Sequence, residues 1–431
     1  MEPLVSVVCI TYNHEKYIAE AIESFLMQET DFPFEIIIHD DASTDRTPEI
    51  IREYENKYPD IIKPIYQKEN QFSKGVKGNI RTIIKFIAPL IQGNYVAVCE
   101  GDDYWIDKEK LQKQVNFLEK NEEYIACFHR VKVVNIEGNF TGKYLEPKEF
   151  GSRDYTIKDV VKDGFMHVSS RMYRSEFYKR EQPNWVNISY HGDSASALYL
   201  TIEGKVFFLE KTMSAHRIGV ENSIMTNLRT KFNKEEIIEN YVNMLEVYTL
   251  ANEYYNYKYK EDINIILNNV SDKIVSIIED PDKNTNKTNE ELIKLIPLKY
   301  KDILKESFKR VEHKKNYIRF IEDFKDGLYD NKIMKYFNKE NKLKLIIYGA
   351  GTLGMILKEK LKKTNSEVLF FIEDRYFSDP HNNIFSINDI KKNIIADEII
   401  VTPFYDYENI KELLLGKGIT LPVNALDKIL L

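Results

Sequence analysis

Three apolar runs in the first hundred positions each stop abruptly at polar residues. Leu4-Val5-Ser6-Val7-Val8-Cys9-Ile10 closes on Thr11-Tyr12-Asn13, Phe34-Glu35-Ile36-Ile37-Ile38-His39 closes on Asp40-Asp41-Ala42-Ser43-Thr44-Asp45, and Tyr95-Val96-Ala97-Val98-Cys99 closes on Glu100-Gly101-Asp102-Asp103. Near-continuous apolar runs of this length read as strands buried on both faces. Helical spacing predicts a helix over Glu15–Gln28 and another from about Pro48 to Lys57. Strand, helix, strand, helix implies parallel pairing through right-handed crossovers, which gathers the polar strand ends on one edge of an α/β sheet. Asp40 and Glu100 are then expected to face one crevice.

Beyond residue 227 the pattern changes twice. Long charged and apolar helical repeats, such as Glu235–Tyr255, Glu261–Glu279 and Asn289–Lys314, fill residues 228–341, with a polar loop at Asp280–Lys287. Tyr254, Tyr255, Tyr257 and Tyr259 cluster there, as a packing seam or a peptide-binding face. From residue 342 a strand at Leu343–Tyr348 runs into Gly349-Ala350-Gly351-Thr352-Leu353-Gly354, a helix at Met355–Lys363 and a strand at Val368–Ile372 that ends in Glu373-Asp374. That is the Gly-x-Gly-x-x-Gly fingerprint with an acid about 20 residues on, the mark of a Rossmann-like unit. The chain ends soon after Ile399-Ile400-Val401, so this unit is read as scaffold, oligomer contact or acceptor docking ahead of nucleotide binding, with redox chemistry last. The expected domains are 1–227, 228–341 and 342–431.

With 431 residues and 43 % hydrophobic content the chain holds enough apolar mass for two or three cores. Three cysteines, Cys9, Cys99 and Cys127, suggest no disulfide framework. The first strand begins by residue 4, leaving no room for a signal peptide, and no apolar stretch approaches the roughly 20 residues that span a bilayer. A cytoplasmic location is expected. Net charge is −7, from 61 basic and 68 acidic residues, and the lysines are dispersed rather than gathered beside aromatics, which argues against nucleic-acid binding.

Three carboxylates within four residues, Glu100, Asp102 and Asp103, repel unless something positive lies among them. At the C-terminal end of a strand in an open α/β sheet, a ligand-binding position, a hard divalent cation with phosphate oxygens is the natural neutraliser. An acidic turn capping the helix that begins near Lys108 is the structural alternative.

Val5-to-Asn13, Asp40-to-Asp45 and Glu100-to-Trp105 together resemble family-two inverting glycosyltransferases of the GT-A fold (nucleotide-diphospho-sugar transferases). The likeness covers about the first 225 residues, and the Glu-Gly-Asp-Asp-Tyr-Trp form is similar to a bacterial subgroup that decorates surface polymers and flagellar proteins. It implies that Thr11 and Tyr12 flank a uracil, that Asp40 accepts its imide N–H while Asp41 helps fix the nucleotide, and that Asp102 ligates Mn²⁺ or Mg²⁺, with Glu100 reaching the ribose or a metal-bound water. Asp103 and Trp105 would shape the sugar pocket, unless Trp105 merely anchors the following helix. Lys74, Lys77 or Arg81, in a loop with Gly75 and Gly78, would offset diphosphate charge.

The same resemblance places the catalytic base in Tyr190-His191-Gly192-Asp193, where Asp193 would take the acceptor proton; a plain helix N-cap is the alternative for Asp193. Phe165-to-Arg174 is similar to the strand lining the acceptor and sugar site, with His167 or Ser169 on sugar hydroxyls. His216 would complete the metal shell or touch phosphate, and Arg217 would clamp the diphosphate. The implied reaction moves a sugar, N-acetylglucosamine first among candidates, from a UDP-sugar to a Ser/Thr hydroxyl of flagellin, or alternatively to a growing surface polysaccharide. A non-catalytic nucleotide-sugar-binding protein and a sugar nucleotidyltransferase are the rivals from other classes. The latter would need a glycine-rich, arginine-containing loop where this chain has Thr11-Tyr12-Asn13-His14-Glu15.

Overall fold

The computed structural model describes residues 2–74, 81–146, 151–163, 166–190, 192–221, 232–280, 285–338, 341–373, 383–387, 389–390, 395–403 and 407–431. The chain divides into two compact units, Met1–Leu304 and Lys305–Leu431.

The first unit is built on a mixed sheet, ten-stranded among the described residues. In chain order its strands are β1 (Val5–Thr11), β2 (Phe34–Asp40), β3 (Ile62–Tyr66), β4 (Tyr95–Glu100), β5 (Tyr104–Trp105), β6 (Tyr124–Val134), β7 (Phe140–Tyr144), β8 (Arg153–Tyr155), β9 (Met172–Arg174) and β10 (Lys205–Arg217). Eight of them run in the order β3-β2-β1-β4-β9-β6-β10-β5, with β7 paired to β6 and β8 to β10 off this path. β1 lies between β2 and β4, parallel to both, and the register sets Thr11 beside Asp40 and Ile10 beside Glu100. The expected shared edge is therefore present. The apolar runs form its core because both faces are covered: Val7, Cys9, Ile22, Phe25, Ile36, Trp105 and Leu111 are buried in one cluster. All three cysteines are buried and free.

Two sequence expectations need correction. Phe165-to-Arg174 is not one strand: Val168–Ser170 is a 3-10 turn, only Met172–Arg174 is extended, and Phe165 lies outside the described residues. The serines cause this, because the Ser170 hydroxyl donates to the His167 carbonyl at 2.6 Å and the His167 ring accepts the Ser169 amide, local bonds that compete with a strand ladder. Nor is Asn289–Lys314 a single helix. Asn289–Lys294 stops before Pro297 and a new helix runs over Lys301–Lys325, since proline lacks the amide proton and clashes with the preceding turn.

The helix Lys234–Tyr254 opens on a capping box in which Asn233 and Glu236 satisfy each other's backbone amides, and it pairs with Lys260–Ile278. Asn243 on the first of these accepts the Tyr190 amide at 2.9 Å and donates to the Ile188 carbonyl at 2.9 Å. That clamp fixes the approach to Asp193. No helix of the described residues is long and apolar enough to cross a membrane.

The second unit holds a parallel sheet, five-stranded among the described residues: β11 (Lys344–Tyr348), β12 (Glu367–Glu373), β13 (Ile384–Ser386), β14 (Glu398–Val401) and β15 (Val423–Ala425). Its order is β13-β12-β11-β14-β15, a doubly wound arrangement whose direction reverses between β11 and β14. Gly354 allows the following helix to lie against the strand end, since a Cβ there would stand 1.9 Å from the Gly349 carbonyl oxygen. The Glu373 carboxylate accepts the Ala350 amide; Asp374 lies outside the described residues.

Candidate active site

At the end of β2, Asp40 is buried and one of its carboxylate oxygens, Oδ1, has no hydrogen-bond partner among the described residues; the buried Thr11 hydroxyl beside it has none among them either. Burial raises the Asp40 pKa, and hydrogen bonds from Ser43 oppose the rise. An unsatisfied acceptor of this kind is costly in a folded chain, and a ligand N–H would satisfy it. Tyr12 is 41 % exposed, so its ring faces outward at the same edge. The turn behind is tightly tied: Ser43 accepts the Asn13 amide at 2.8 Å, and Asp45 accepts those of Glu15 at 3.0 Å and Thr47 at 2.9 Å. Asp41 is used differently from Asp40. Its two oxygens accept the Gln71 and Phe72 amides at 2.7 and 2.9 Å, so it holds the loop that follows β3. Lys77, Gly75 and Gly78 of that loop lie outside the described residues.

The acidic run follows at the end of β4. A Cβ on Gly101 would stand 2.5 Å from the Thr11 hydroxyl oxygen and 3.0 Å from His14 Nδ1, so the absence of a side chain lets the run fold back over β1. Asp102 lies 4.0 Å from His14 Nε2. Asp103 turns inward and is buried. Its carboxylate meets His216 Nδ1 at 3.1 Å, accepts the Arg217 amide at 2.9 Å and lies 3.7 Å from His167 Nδ1. The short β5 pairs antiparallel with β10, Trp105 opposite Ser214 and Tyr104 opposite Ala215, and so carries Asp103 to the end of β10. The ligand atoms of Asp103, His167 and His216 all lie within 4.8 Å of one another. His216 is thus placed in a metal-capable cluster with Asp103 and His167, while Asp102 lies beside it.

The electrostatics bind these groups to Asp193. Burial, then Asp102, Asp193 and Asp103, push the Glu100 carboxyl well above the usual range, with Arg171 opposing. Asp193 is raised by burial and pulled back by Arg171 and His216. For His216, burial disfavours the imidazolium, but Asp103, Asp102 and Asp193 outweigh it and the pKa rises. Burial and the neighbouring His216 and Arg171 charges depress His167 well below its ordinary value. Four carboxylates and two imidazoles therefore share one poorly solvated site.

Asp193 occupies the first turn of the helix Gly192–Glu203. His191 before it lies outside the described residues. Arg171 braces this turn, donating to the Asp193 carbonyl at 3.1 Å and to the Ser196 hydroxyl at 2.7 Å. Sequence reasoning passed over Arg171; the signal was a charged residue inside an otherwise buried segment. Other expectations shift. Ser169 bonds His167 and Ser214 rather than a free face. Trp105 is buried, its ring 4.7 Å from that of Phe25 and 4.0 Å from the amine of Lys110 at the start of the following helix. Arg217 is held by Glu20 and by the Asp102 and Ile136 carbonyls, so its guanidinium braces the acidic run.

Residues 6–181 match the model of Glycosyl transferase family 2. An uncharacterised protein of Mycobacterium tuberculosis (strain ATCC 25618 / H37Rv) is 36 % identical over 229 residues, 52 % of this chain and 62 % of the relative. The chain thus spans less than two thirds of that relative's length. The putative teichuronic acid biosynthesis glycosyltransferase TuaG of Bacillus subtilis (strain 168) is 29 % identical over 227 residues, 52 % of this chain and 83 % of that protein. The poly(ribitol-phosphate) beta-N-acetylglucosaminyltransferase TarS of Staphylococcus aureus (strain MW2) is 35 % identical over 136 residues, 31 % of this chain and 22 % of that protein. With this match falling on the strand edge that carries Thr11, Asp40 and Glu100, the chain contains a glycosyl transferase family 2 domain on an α/β GT-A fold.

Proposed function

We propose that the chain is an inverting, metal-dependent glycosyltransferase that moves N-acetylglucosamine from UDP-N-acetylglucosamine to a hydroxyl of a surface polymer. The observation that supports this reading is the Asp103, His167 and His216 cluster, whose ligand atoms converge within 4.8 Å, with Asp193 close enough to raise the Glu100 and His216 pKa values by its charge. Orphaned Asp40 Oδ1 suits the uracil imide, because an ionised carboxylate only accepts and the imide nitrogen only donates.

Asp103, His167 and His216 fit a divalent cation: one carboxylate and two imidazoles with converging ligand atoms. This donor set suits Mn²⁺ better than Mg²⁺, since imidazole favours the transition metals. A cation held there would supply Lewis-acid stabilisation of the departing diphosphate. Asp193 takes the acceptor hydroxyl proton as that oxygen bonds the anomeric carbon. The bond from that carbon to the diphosphate oxygen breaks, and its electron pair leaves with UDP. Burial of Asp193 raises its basicity, which suits a general base.

The donor sugar and the polymer acceptor rest on the names of TarS and TuaG, which favour a surface polymer over a flagellin hydroxyl. The test is UDP release from a panel of UDP-sugars, with Mn²⁺ or with chelator, against poly(ribitol phosphate), a surface glycan and flagellin. Metal-dependent release that is greatest with UDP-N-acetylglucosamine and a polymer is expected. Tight UDP-sugar binding without turnover would give the chain a sensor's role instead.

A further inference from the structure

We infer that Lys110 is a positioning residue for the cation site, gripping through two arms the 3-10 turn that presents His167. This rests on reading Asp103, His167 and His216 as the metal-holding cluster.

Lys110 begins the helix Lys110–Lys120 and is fully buried. Among the described residues no carboxylate lies within ion-pair distance of its amine. The Nζ instead donates to Gln114 Oε1 at 2.8 Å and sits 4.0 Å from the centroid of the Trp105 ring. Both partners continue to the same turn. Gln114 Nε2 donates to the Ser170 carbonyl at 2.9 Å, and Trp105 Nε1 donates to the Ser169 carbonyl at 3.1 Å. Two consecutive carbonyls of Val168–Ser170 are thus held by side chains that the one amine orients. The turn in turn fixes His167: Ser169 Oγ lies 2.8 Å from His167 Nδ1, and the Ser170 hydroxyl and amide both donate to the His167 carbonyl.

The energetics separate this role from simple packing. A buried, unpaired amine is costly, and a hydrocarbon or thioether side chain of similar length would fill the space better. Burial pushes the amine down to about 7, and both of its forms keep an N–H for Gln114. What the lysine supplies is orientation. A residue kept for packing would lower stability when replaced by methionine; one that orients a ligand would lower metal affinity while stability holds or rises.

The test measures Mn²⁺ uptake by the full chain, from the electron paramagnetic resonance signal of free Mn²⁺, together with thermal melting. Lys110→Met is expected to melt close to the parent, the relief of the buried amine offsetting the Gln114 Oε1 left without its donor, and to bind Mn²⁺ about tenfold more weakly, the low end of what lost support around a ligating histidine costs. Trp105→Phe keeps the ring over the amine but loses the donor to Ser169; it is expected to weaken Mn²⁺ in the same direction. It decides the matter alone should Lys110→Met not fold. Parent-like Mn²⁺ affinity in these variants, with His216→Ala deficient, would overturn the inference and leave the metal reading standing. A parent chain that takes up no Mn²⁺ would overturn both.

Discussion

Asp103 and His216 are 113 residues apart in sequence and meet at 3.1 Å, and the amide of the residue after His216 donates to the same carboxylate oxygen. The contact exists because β5, two residues long, pairs with β10 directly after the acidic run. A carboxylate held from two sides points one way, and that fixity is what a metal site needs from its ligands.

Asp103→Asn and His216→Ala are therefore expected to weaken Mn²⁺ binding at least about tenfold. Asp102→Ala, which removes the neighbouring carboxylate nearest His14, is expected to cost less. Calorimetric titration of the three variants ranks them, and the opposite order would transfer the ligand role to Asp102.

Asp40→Ala removes the orphaned acceptor at the end of β2. Uracil offers an N–H at its third ring position and cytosine offers a lone pair, so the parent should prefer UDP to CDP. The variant is expected to lose about 1.5–3 kcal/mol of UDP affinity, the range for a hydrogen bond to a charged group, and most of that preference. Dissociation constants for the two nucleotides check this, and an unchanged ratio would remove the uracil contact.

Periodicity was enough to read β1, β2 and β4 and their common edge, because a strand buried on both faces writes itself as a continuous apolar run. The meeting of Asp103 with His216 was not legible. It depends on β5 pairing with β10, a contact made more than a hundred residues away. The 3-10 turn at Val168–Ser170 was hidden for another reason: the Ser170 hydroxyl bonding the His167 carbonyl, and the His167 ring accepting the Ser169 amide, overrode an apolar pattern that otherwise suggests a strand. Nothing local in the sequence marks Lys110 as buried, since its burial is set by tertiary packing.

Gly101→Ala would drive a methyl group to 2.5 Å from the Thr11 hydroxyl and 2.8 Å from its Cβ. Thr11 is the last residue of β1, so it cannot retreat without pulling the strand end. A destabilisation of about 1–3 kcal/mol is expected, the usual cost of overpacking, with weaker UDP binding as the edge shifts. Urea unfolding and UDP titration on the same preparation report both effects.

Glu146 is buried, accepts the Val131 amide at 2.8 Å through Oε2 and leaves Oε1 without a partner among the described residues. Burial pushes its pKa up to about 8. Between its ordinary value and about 8 the folded chain holds a proton that the unfolded chain has lost, so this group's contribution falls as pH rises through that window. Glu146→Gln mimics the neutral acid and should flatten the decline. Melting temperatures of parent and variant from pH 5 to pH 8.5 should diverge, with the variant higher at the alkaline end; parallel curves would mean that Glu146 is ionised throughout.

Asp193→Asn tests the mechanism most directly, because it preserves size while removing the ability to take a proton. The bonds that brace this turn run from Arg171 and Ser196 to the Asp193 backbone carbonyl, so the substitution should leave the helix and its support intact. UDP and Mn²⁺ affinities are expected to stay near the parent's, whereas transfer should fall by roughly 10²–10⁴, the range that general-base catalysis supplies. If Asp193 only shaped the start of the helix, asparagine would serve equally well there and turnover would scarcely move. Binding and transfer measured on one folded preparation distinguish these cases, and unchanged turnover would remove Asp193 from the reaction.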